Sequence, residues 1–313
     1  MGNKSIDLNF SHSGRGDSLS KIMWSVVLSL VPAGIAGMFI FGLNTLWVSA
    51  AAIISAVLTE AGIQLLLKKK VTISDGSAFL TGLLLAYNLP PNVPIFLPII
   101  GSVFAIAIAK QAFGGLGHNI FNPALAARLF LMFSWPAFMT SFPKPFACDA
   151  VTSATPLALL KWGKLPGSIS YLDLFLGNRG GCIGEVCILA LLLGAVFLFI
   201  KGYISWHIPL TYIVTCGLLA YVFGPNGFFS GDWLFHILSG GLILGAFFMA
   251  TDYATSPLTR KGQIVFGIGC GIVTMAIRLR GAYPEGVSCA ILLMNAVTPL
   301  INEYIKIQPS SAG

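Results

Sequence analysis

The chain has 313 residues, of which 56% are hydrophobic and only 9% are charged. Soluble domains carry about 25% charged residues, and a soluble fold of this size has too little interior for so much apolar surface. The composition therefore excludes an ordinary soluble enzyme and indicates a lipid bilayer as the solvent. The net charge is +7. In a membrane protein such an excess belongs to cytoplasmic loops, so it gives no reason to expect nucleic-acid binding.

Apolar runs follow one another along the chain after a polar N-terminal segment at residues 1–21. This segment has no cleavable apolar core of signal-peptide length. Because a span needs roughly 20 apolar residues, the sequence predicts an all-α polytopic membrane protein with about ten transmembrane helices, several of them short. The predicted spans are Ile22–Gly42, Leu46–Leu67, Ala78–Leu89, Ile95–Ala109, Pro123–Phe133, Ile183–Ile200, His207–Phe223, Trp233–Ala250, Ile264–Ile277 and Val287–Tyr304.

The two halves of the chain follow the same order of elements. Each has two long spans, a short glycine-rich span, a longer span and a glycine-rich segment that leads into a final span. Five spans per half is an odd number, so the second copy runs through the membrane in the opposite sense, and such inverted repeats commonly build a site at the midplane. The sequence predicts membrane repeats at 22–134 and 183–305 with a urea-transporter-like fold. Close helix packing is the alternative reason for the glycines.

The distribution of basic residues predicts the orientation through the positive-inside rule. With both termini in the cytoplasm, most Lys and Arg residues fall inside, including the run Lys68–Lys70. The polar region 135–182 is then an extracytoplasmic loop, and residues 306–313 form a cytoplasmic tail. The predicted location is the cell (inner) membrane.

The predicted extracytoplasmic loop contains the segment Asp149–Pro156, which reads DAVTSATP. By itself, a Ser/Thr-rich stretch before proline is ordinary loop chemistry. An acid lies six residues before the hydroxyl of Thr155, however, and small neighbouring side chains are expected to leave that hydroxyl accessible. A hydroxyl can attack a phosphoric anhydride when another enzyme supplies a base and a metal.

This segment resembles the recognition motif for covalent attachment of flavin mononucleotide (FMN) through a phosphoester to the last threonine, which is Thr155 here. Ser153 stands where that motif usually has glycine. Together with Gly114–Arg128 and Ser74–Ser77, the motif makes essentially the whole chain similar to the NqrB/RnfD family of membrane subunits. The Rnf branch fits better, because the first span begins near Ile22.

The resemblance implies a membrane flavoprotein subunit of an Rnf complex, which couples electron transfer between ferredoxin and NAD to the pumping of Na⁺ or H⁺. Thr155 would carry FMN, while Asp149, Thr152, Ser153 and Ala154 would be read by a flavin transferase or shape the site. The family is also associated with a second, non-covalent flavin such as riboflavin.

Other subunits of the complex are the implied partners. The chain has no nucleotide-binding glycine fingerprint and no iron–sulfur motif, so ferredoxin and NAD would react on those subunits and the chain would not be catalytic alone. A passive channel or transporter for small solutes is the alternative function. The loop motif argues against it, because a channel has no reason to carry such a sequence.

Arg128 is a charged residue within an apolar run, where it costs roughly 3 kcal/mol unless it is paired or reaches water. It follows Asn122-Pro123, which should open a helix whose N-terminus favours anions. Snorkelling to an interface is one interpretation of Arg128, and contact with a flavin or with an acid such as Glu60 or Glu285 is the other. Asn122 and Arg128 are therefore candidate cofactor-binding residues, and the sequence predicts no metal site.

Overall fold

The structure, a computed structural model, describes residues 18–146, 152–163, 170–224, 227–281 and 283–305. The regular secondary structure of these residues is helical apart from two pairs of short antiparallel strands, so the predicted all-α class is confirmed. The helices are α1 (Leu19–Phe41), α2 (Asn44–Leu66), α3 (Ser77–Tyr87), α4 (Phe96–Ala107), α5 (Pro123–Ser134), α6 (Pro136–Met139), α7 (Pro156–Lys161), α8 (Tyr171–Leu176), α9 (Ile188–Lys201), α10 (His207–Val222), α11 (Trp233–Leu238), α12 (Leu242–Leu244), α13 (Arg260–Arg280) and α14 (Val287–Tyr304). The strands are β1 (Phe142–Pro143) with β2 (Thr152–Ser153), and β3 (Phe223–Gly224) with β4 (Gly227–Phe228).

Nine apolar helices within the described ranges account for most of the predicted spans. Five stretches are long and apolar enough to cross a membrane, namely α1, α2, Phe96–Phe113, α13 and α14, while α3, α5, α9 and α10 are shorter. Large apolar side chains face outward, such as Phe39 at 76% and Leu66 at 83% exposure. An exterior with so many exposed large apolar side chains suits lipid and not water. The chain is a helical polytopic membrane protein.

The predicted span Trp233–Ala250 is broken in its middle. Helix α11 ends at Leu238, and α12 begins at Leu242 and continues as a π-helical stretch, Gly245–Met249. Gly240 lies between them with a φ of +67°, a backbone conformation that glycine adopts without steric cost. The apolar run is therefore continuous in sequence but is interrupted as a helix.

The two halves pack their helices in corresponding pairs. In the first half α2 packs on α3 and α4, and α4 packs on α5; in the second half α10 packs on α11 and α13, and α13 packs on α14. Helices α1 and α9 join the halves. A Cβ on Gly194 would lie 2.0 Å from Ser29 O, so glycine at this position permits the close approach of α9 to α1.

An irregular segment between α8 and α9 enters the helical bundle. Ile183 N donates to Leu89 O at 3.1 Å, and Gly184 N donates to Tyr87 O at 3.0 Å. Residues 179–186 are buried. The C-terminal end of the long loop is thus packed against the end of α3, because these backbone amides satisfy carbonyls that α3 leaves free.

Candidate functional site

Thr155 stands at the start of α7, where its side chain caps the helix. Its Oγ1 accepts a hydrogen bond from Ala158 N at 3.3 Å, and Pro156 occupies the first helical position. Threonine before proline is a favourable helix start. The residue is only 4% exposed, so the expectation that small neighbours leave Thr155 accessible is wrong in the folded chain.

The segment before Thr155 is held against the bundle. Strand β2 pairs with β1, so that Ser153 lies opposite Phe142. A Cβ on Gly180 would lie 2.6 Å from Ser153 Oγ, and Ser153 Oγ is buried without a hydrogen-bond partner among the described residues. Asp149, the first residue of the predicted motif, lies outside the described residues. Ala154 adjoins the same glycine, with its carbonyl oxygen 3.6 Å from that Cβ position.

The lysines that could offset a phosphate near Thr155 have different positions. Lys161, at the end of α7, donates through Nζ to Gly281 O and, at 2.9 Å, to Tyr283 O. Burial lowers the pKa of Lys161. Lys144 is exposed, and Lys164 lies outside the described residues. Lys161 therefore ties α7 to the segment before α14 and is not free to turn toward Thr155.

Arg128 lies in α5 at the centre of a buried ion cluster, which we define as Arg128, Glu185 and Glu285. Its Nη2 makes a short salt bridge to Glu285 Oε2. Its Nη1 donates to Asn88 Oδ1 at 2.8 Å and to Ser288 Oγ at 3.2 Å. Arg128 is 3% exposed. Of the interpretations given above, contact with an acid describes this residue, and the acid is Glu285.

Glu185 approaches the same cluster from the irregular segment before α9. Its Oε1 accepts from Cys182 N at 3.0 Å. Arg179 binds the backbone here and not a carboxylate: its Nη2 donates to Glu185 O at 3.0 Å and to Gly240 O at 3.5 Å. Sequence reasoning assigned Glu185 no role, although an acid and an arginine six residues apart at the edge of an apolar run are an available signal.

The break between α11 and α12 lies beside the ion cluster and beside α7. A Cβ on Gly241 would lie 2.7 Å from Glu185 Oε2, and a Cβ on Gly240 would lie 2.8 Å from Leu157 Cδ1. Arg278 donates to the carbonyls of His236 and, at 3.0 Å, Ser239. The break therefore connects the loop that carries Thr155 to the buried charges.

Asn122 opens α5 as the sequence predicts. Its side chain accepts from Ala124 N at 3.1 Å and from Leu125 N at 3.3 Å. It also meets the second half of the chain, because its Nδ2 donates to Met249 O at 3.4 Å and its backbone N donates to Asn295 Oδ1 at 3.2 Å. These bonds fix the helix start between the halves.

A second buried pair joins Glu60 of α2 to Lys110, and both side chains are 2% exposed. Lys110 Nζ lies 2.8 Å from Glu60 Oε1 and donates to Ser77 Oγ at 2.7 Å. Gln111 Nε2 donates to Glu60 Oε1 at 2.8 Å, and Gln64 Nε2 does so at 3.4 Å. The sequence offered Glu60 as a partner of Arg128 and did not pair it with Lys110. What the sequence does indicate is a polar contact within α2, because Glu60 and Gln64 lie four residues apart on one helix face.

Two cavities differ greatly in the ligand they could hold. A cleft of about 970 Å³ adjoins α7 and is lined in part by Leu157, Leu160, His236 and Arg278. A cavity of about 70 Å³ adjoins Asn122. Small-molecule and cofactor sites measure roughly 300–1,000 Å³. The cleft beside α7 has room for a flavin ring, and the cavity beside Asn122 does not.

The helical fold, the anchored polar loop and the buried ion pairs define a polytopic membrane protein that keeps charges inside its bundle. The chain belongs to the NQR2, RnfD, RnfE family, whose model matches residues 9–311. The family predicted from the sequence is thereby confirmed.

Curated relatives match almost the full length of the chain. It is 54% identical over 291 residues to the D subunit of the Na⁺-translocating ferredoxin:NAD⁺ oxidoreductase complex of Acetobacterium woodii, in a match that covers 92% of this chain and 90% of that protein. It is 52% identical over 301 residues to the D subunit of the proton-translocating ferredoxin:NAD⁺ oxidoreductase complex of Clostridium ljungdahlii, covering 93% and 91%. The D subunit of the ion-translocating oxidoreductase complex of Stutzerimonas stutzeri is 39% identical over 322 residues, covering 92% and 91%.

Proposed function

We propose that the chain is the membrane-embedded D subunit of an ion-translocating ferredoxin:NAD⁺ oxidoreductase complex and carries electrons within it as a flavoprotein. The observation that carries this proposal is more than 50% identity to two proteins of that name over more than nine tenths of the chain. The chain then works as one component of an oxidoreductase, with the remaining subunits of the complex as its partners.

The proposed electron carrier is FMN, held by a phosphoester on Thr155. FMN supplies one- and two-electron redox chemistry, and the protein supplies position and charge. Ser153 Oγ, buried and unpartnered next to Thr155 in the described part of the chain, is available to a phosphate oxygen. Three buried arginines, Arg128, Arg179 and Arg278, also outnumber the two glutamates of the ion cluster in this region. This excess of positive charge would favour a bound phosphate.

Attachment requires a change at α7, because Thr155 is 4% exposed and its oxygen caps the helix. We infer that the flavin transferase modifies Thr155 while the first turn of α7 is undocked, and that the loop closes afterwards. The flavin ring would then occupy the cleft of about 970 Å³ that Leu157 and Leu160 line. A second, non-covalent flavin of the riboflavin type is part of the proposal, without an assigned position.

The proposed membrane arrangement has ten spans in two inverted repeats of five. Its support is the matching order of helix pairs in the two halves. Each half also has a short or broken third element, α3 in one and α11–α12 in the other. Both termini would be cytoplasmic and the Thr155 loop extracytoplasmic, in the inner membrane.

A passive channel for small solutes is not favoured, because the curated relatives are named as oxidoreductase subunits. The transported ion is a separate matter. One relative is named for Na⁺ and another for protons at nearly equal identity, so the choice of ion depends on features finer than overall similarity.

The FMN proposal is tested by producing the chain together with a flavin transferase and examining a denaturing gel under ultraviolet light. The parent chain should give a fluorescent band, and Thr155→Val should give none. Thr155→Ser keeps a hydroxyl and should retain fluorescence, as should Thr140→Val, which changes an exposed threonine elsewhere in the loop. A parent chain without a fluorescent band contradicts FMN attachment. Co-purification with the other subunits tests membership of the complex separately.

A further inference from the structure

The ion cluster holds two carboxyl groups around one arginine. Glu285 pairs with the arginine, because its Oε2 forms a salt bridge to Arg128 Nη2. Glu185 is 2% exposed and makes no salt bridge among the described residues. Its Oε1 accepts from Cys182 N, whereas its Oε2 is buried with no hydrogen-bond partner in the same ranges. The second oxygen of Glu285, Oε1, is likewise buried and unpartnered there.

The nearby arginines do not satisfy the free oxygen of Glu185. Arg179 and Arg278 direct their Nη atoms to backbone carbonyls at the end of α11 and in the segment before α9. Arg128 is shared among Asn88, Ser288 and Glu285. On the open side, Glu185 Oε2 faces the bare Cα of Gly241, whose Cβ position is 2.7 Å away. The other titratable or charged groups on the elements packed around it include Cys182, His236 and Cys289, and Tyr87 of α3, whose backbone oxygen accepts from Gly184 N.

An ionised carboxylate in this position would be costly. Burying a charge without a pairing partner or a full set of hydrogen bonds is strongly unfavourable. Two carboxylates that share one dry site cannot both ionise without repulsion, so one of them keeps a proton. Glu285 has Arg128 as its salt-bridge partner. Glu185 has no salt-bridge partner among the described residues, so Glu185 is the group that takes the proton.

We propose that Glu185 holds a proton inside the bundle, so that the Arg128–Glu185–Glu285 cluster is a buried proton-binding site beside the Thr155 loop. The proton sits on Glu185 Oε2. Its release leaves a carboxylate and one H⁺, with no other bond changed. The site communicates with the loop through packing, because Gly180 contacts Ser153 and Gly240 contacts Leu157. The proton site does not depend on a flavin at Thr155.

Matched Glu→Gln substitutions test the proposal on the purified chain. Glu185→Gln replaces a neutral acid by a neutral amide of the same shape, so the melting temperature should stay within about 2 °C of the parent. Glu285→Gln leaves Arg128 without its carboxylate, and Glu60→Gln does the same to Lys110. Each should lower the melting temperature by roughly 5 °C or more, or prevent folding. A Glu185→Gln chain destabilised as much as these two overturns the proposal.

Infrared spectroscopy provides a readout that a merely structural role would not change. At neutral pH the parent should show the C=O band of a protonated carboxyl group, shifted in D₂O, and Glu185→Gln should lack it. A parent without this band overturns the proposal. Because the band needs no flavin, it would persist in a chain that fails the gel test, and the two hypotheses can fail separately.

The pH dependence of the melting temperature tests whether Glu185 binds a proton in the folded chain. If Glu185 keeps its proton in the folded chain but ionises in the unfolded chain, folding takes up a proton. Stability is then greatest below the pKa of an unfolded glutamate and falls as pH rises above it. The melting temperature of the parent should therefore fall from acidic to alkaline buffer by more than that of Glu185→Gln. If Na⁺ instead raises the melting temperature of the parent but not of Glu185→Gln, the site takes a metal cation and the proton assignment is wrong.

Discussion

Replacing Lys110 by Met removes the cation from the buried Glu60–Lys110 pair and keeps a long apolar side chain. Both partners are 2% exposed, and their N···O distance is 2.8 Å. Removing one member of a buried pair costs about 3–5 kcal/mol, because the other charge is left uncompensated. Glu60 keeps its hydrogen bonds from Gln111 and Gln64. We therefore expect the free energy of unfolding to fall by about 3 kcal/mol, near the lower end of that range.

The double variant Glu60→Met/Lys110→Met distinguishes two contributions to the loss of stability. One is the cost of an unpaired buried charge, and the other is the loss of the attraction between the two side chains. Replacing both members by apolar residues removes the uncompensated charge, and such replacements are often close to neutral. Gln111 loses its acceptor in this variant, which costs about 1 kcal/mol. The double variant should therefore be more stable than Lys110→Met alone, and the two single effects should not add.

Thermal unfolding of the detergent-purified chain, followed by tryptophan fluorescence, measures these effects. A loss of about 3 kcal/mol corresponds to a fall of roughly 6 °C in melting temperature. Lys69→Met, which changes an exposed lysine just after α2, should have almost no effect and serves as the control. If the double variant is less stable than Lys110→Met, the pair is a net source of stability and the reasoning from desolvation is refuted.

Two further changes use the same assay. Gly194→Ala should destabilise the chain by about 1–3 kcal/mol, because the new Cβ would lie 2.0 Å from Ser29 O. The control Gly62→Ala, where the new Cβ meets open space, should be neutral or stabilising. Equal effects of the two substitutions would contradict the close approach of α9 to α1. Asn122→Ala should lower the free energy of unfolding by about 1–2 kcal/mol, because it removes the side-chain cap of α5. Asn122→Ser should regain much of this stability, because serine is also a favourable N-cap residue. No difference between Ala and Ser would show that the cap contributes nothing.

The membrane class and the order of the apolar helices could be predicted because apolar runs are local features. Nine of the ten predicted spans overlap single apolar helices. One of these nine, Ile183–Ile200, begins in the irregular segment, since α9 starts only at Ile188. The tenth, Trp233–Ala250, was predicted as one continuous span although its helix is interrupted between Leu238 and Leu242. Small residues there are compatible with an apolar run, so hydrophobicity alone does not reveal the break.

The candidate site was predictable only in part. The motif singled out Thr155, and the Asn122-Pro123 step predicted the start of α5, because both depend on neighbours in sequence. Burial of Thr155 could not be predicted, since it depends on the segment near Gly180 and on the break at Gly240 packing against its neighbours.

The sequence by itself determined that the chain is a polytopic membrane protein, which family it resembles and which threonine fits the flavin motif. Only the tertiary structure decided which charges pair inside the bundle. Glu60 and Lys110 are 50 residues apart, and Arg128 and Glu285 are 157 residues apart. In an apolar interior a charge must meet its partner or give up its ionised form, and which of these happens depends on where the folded helices bring the side chains.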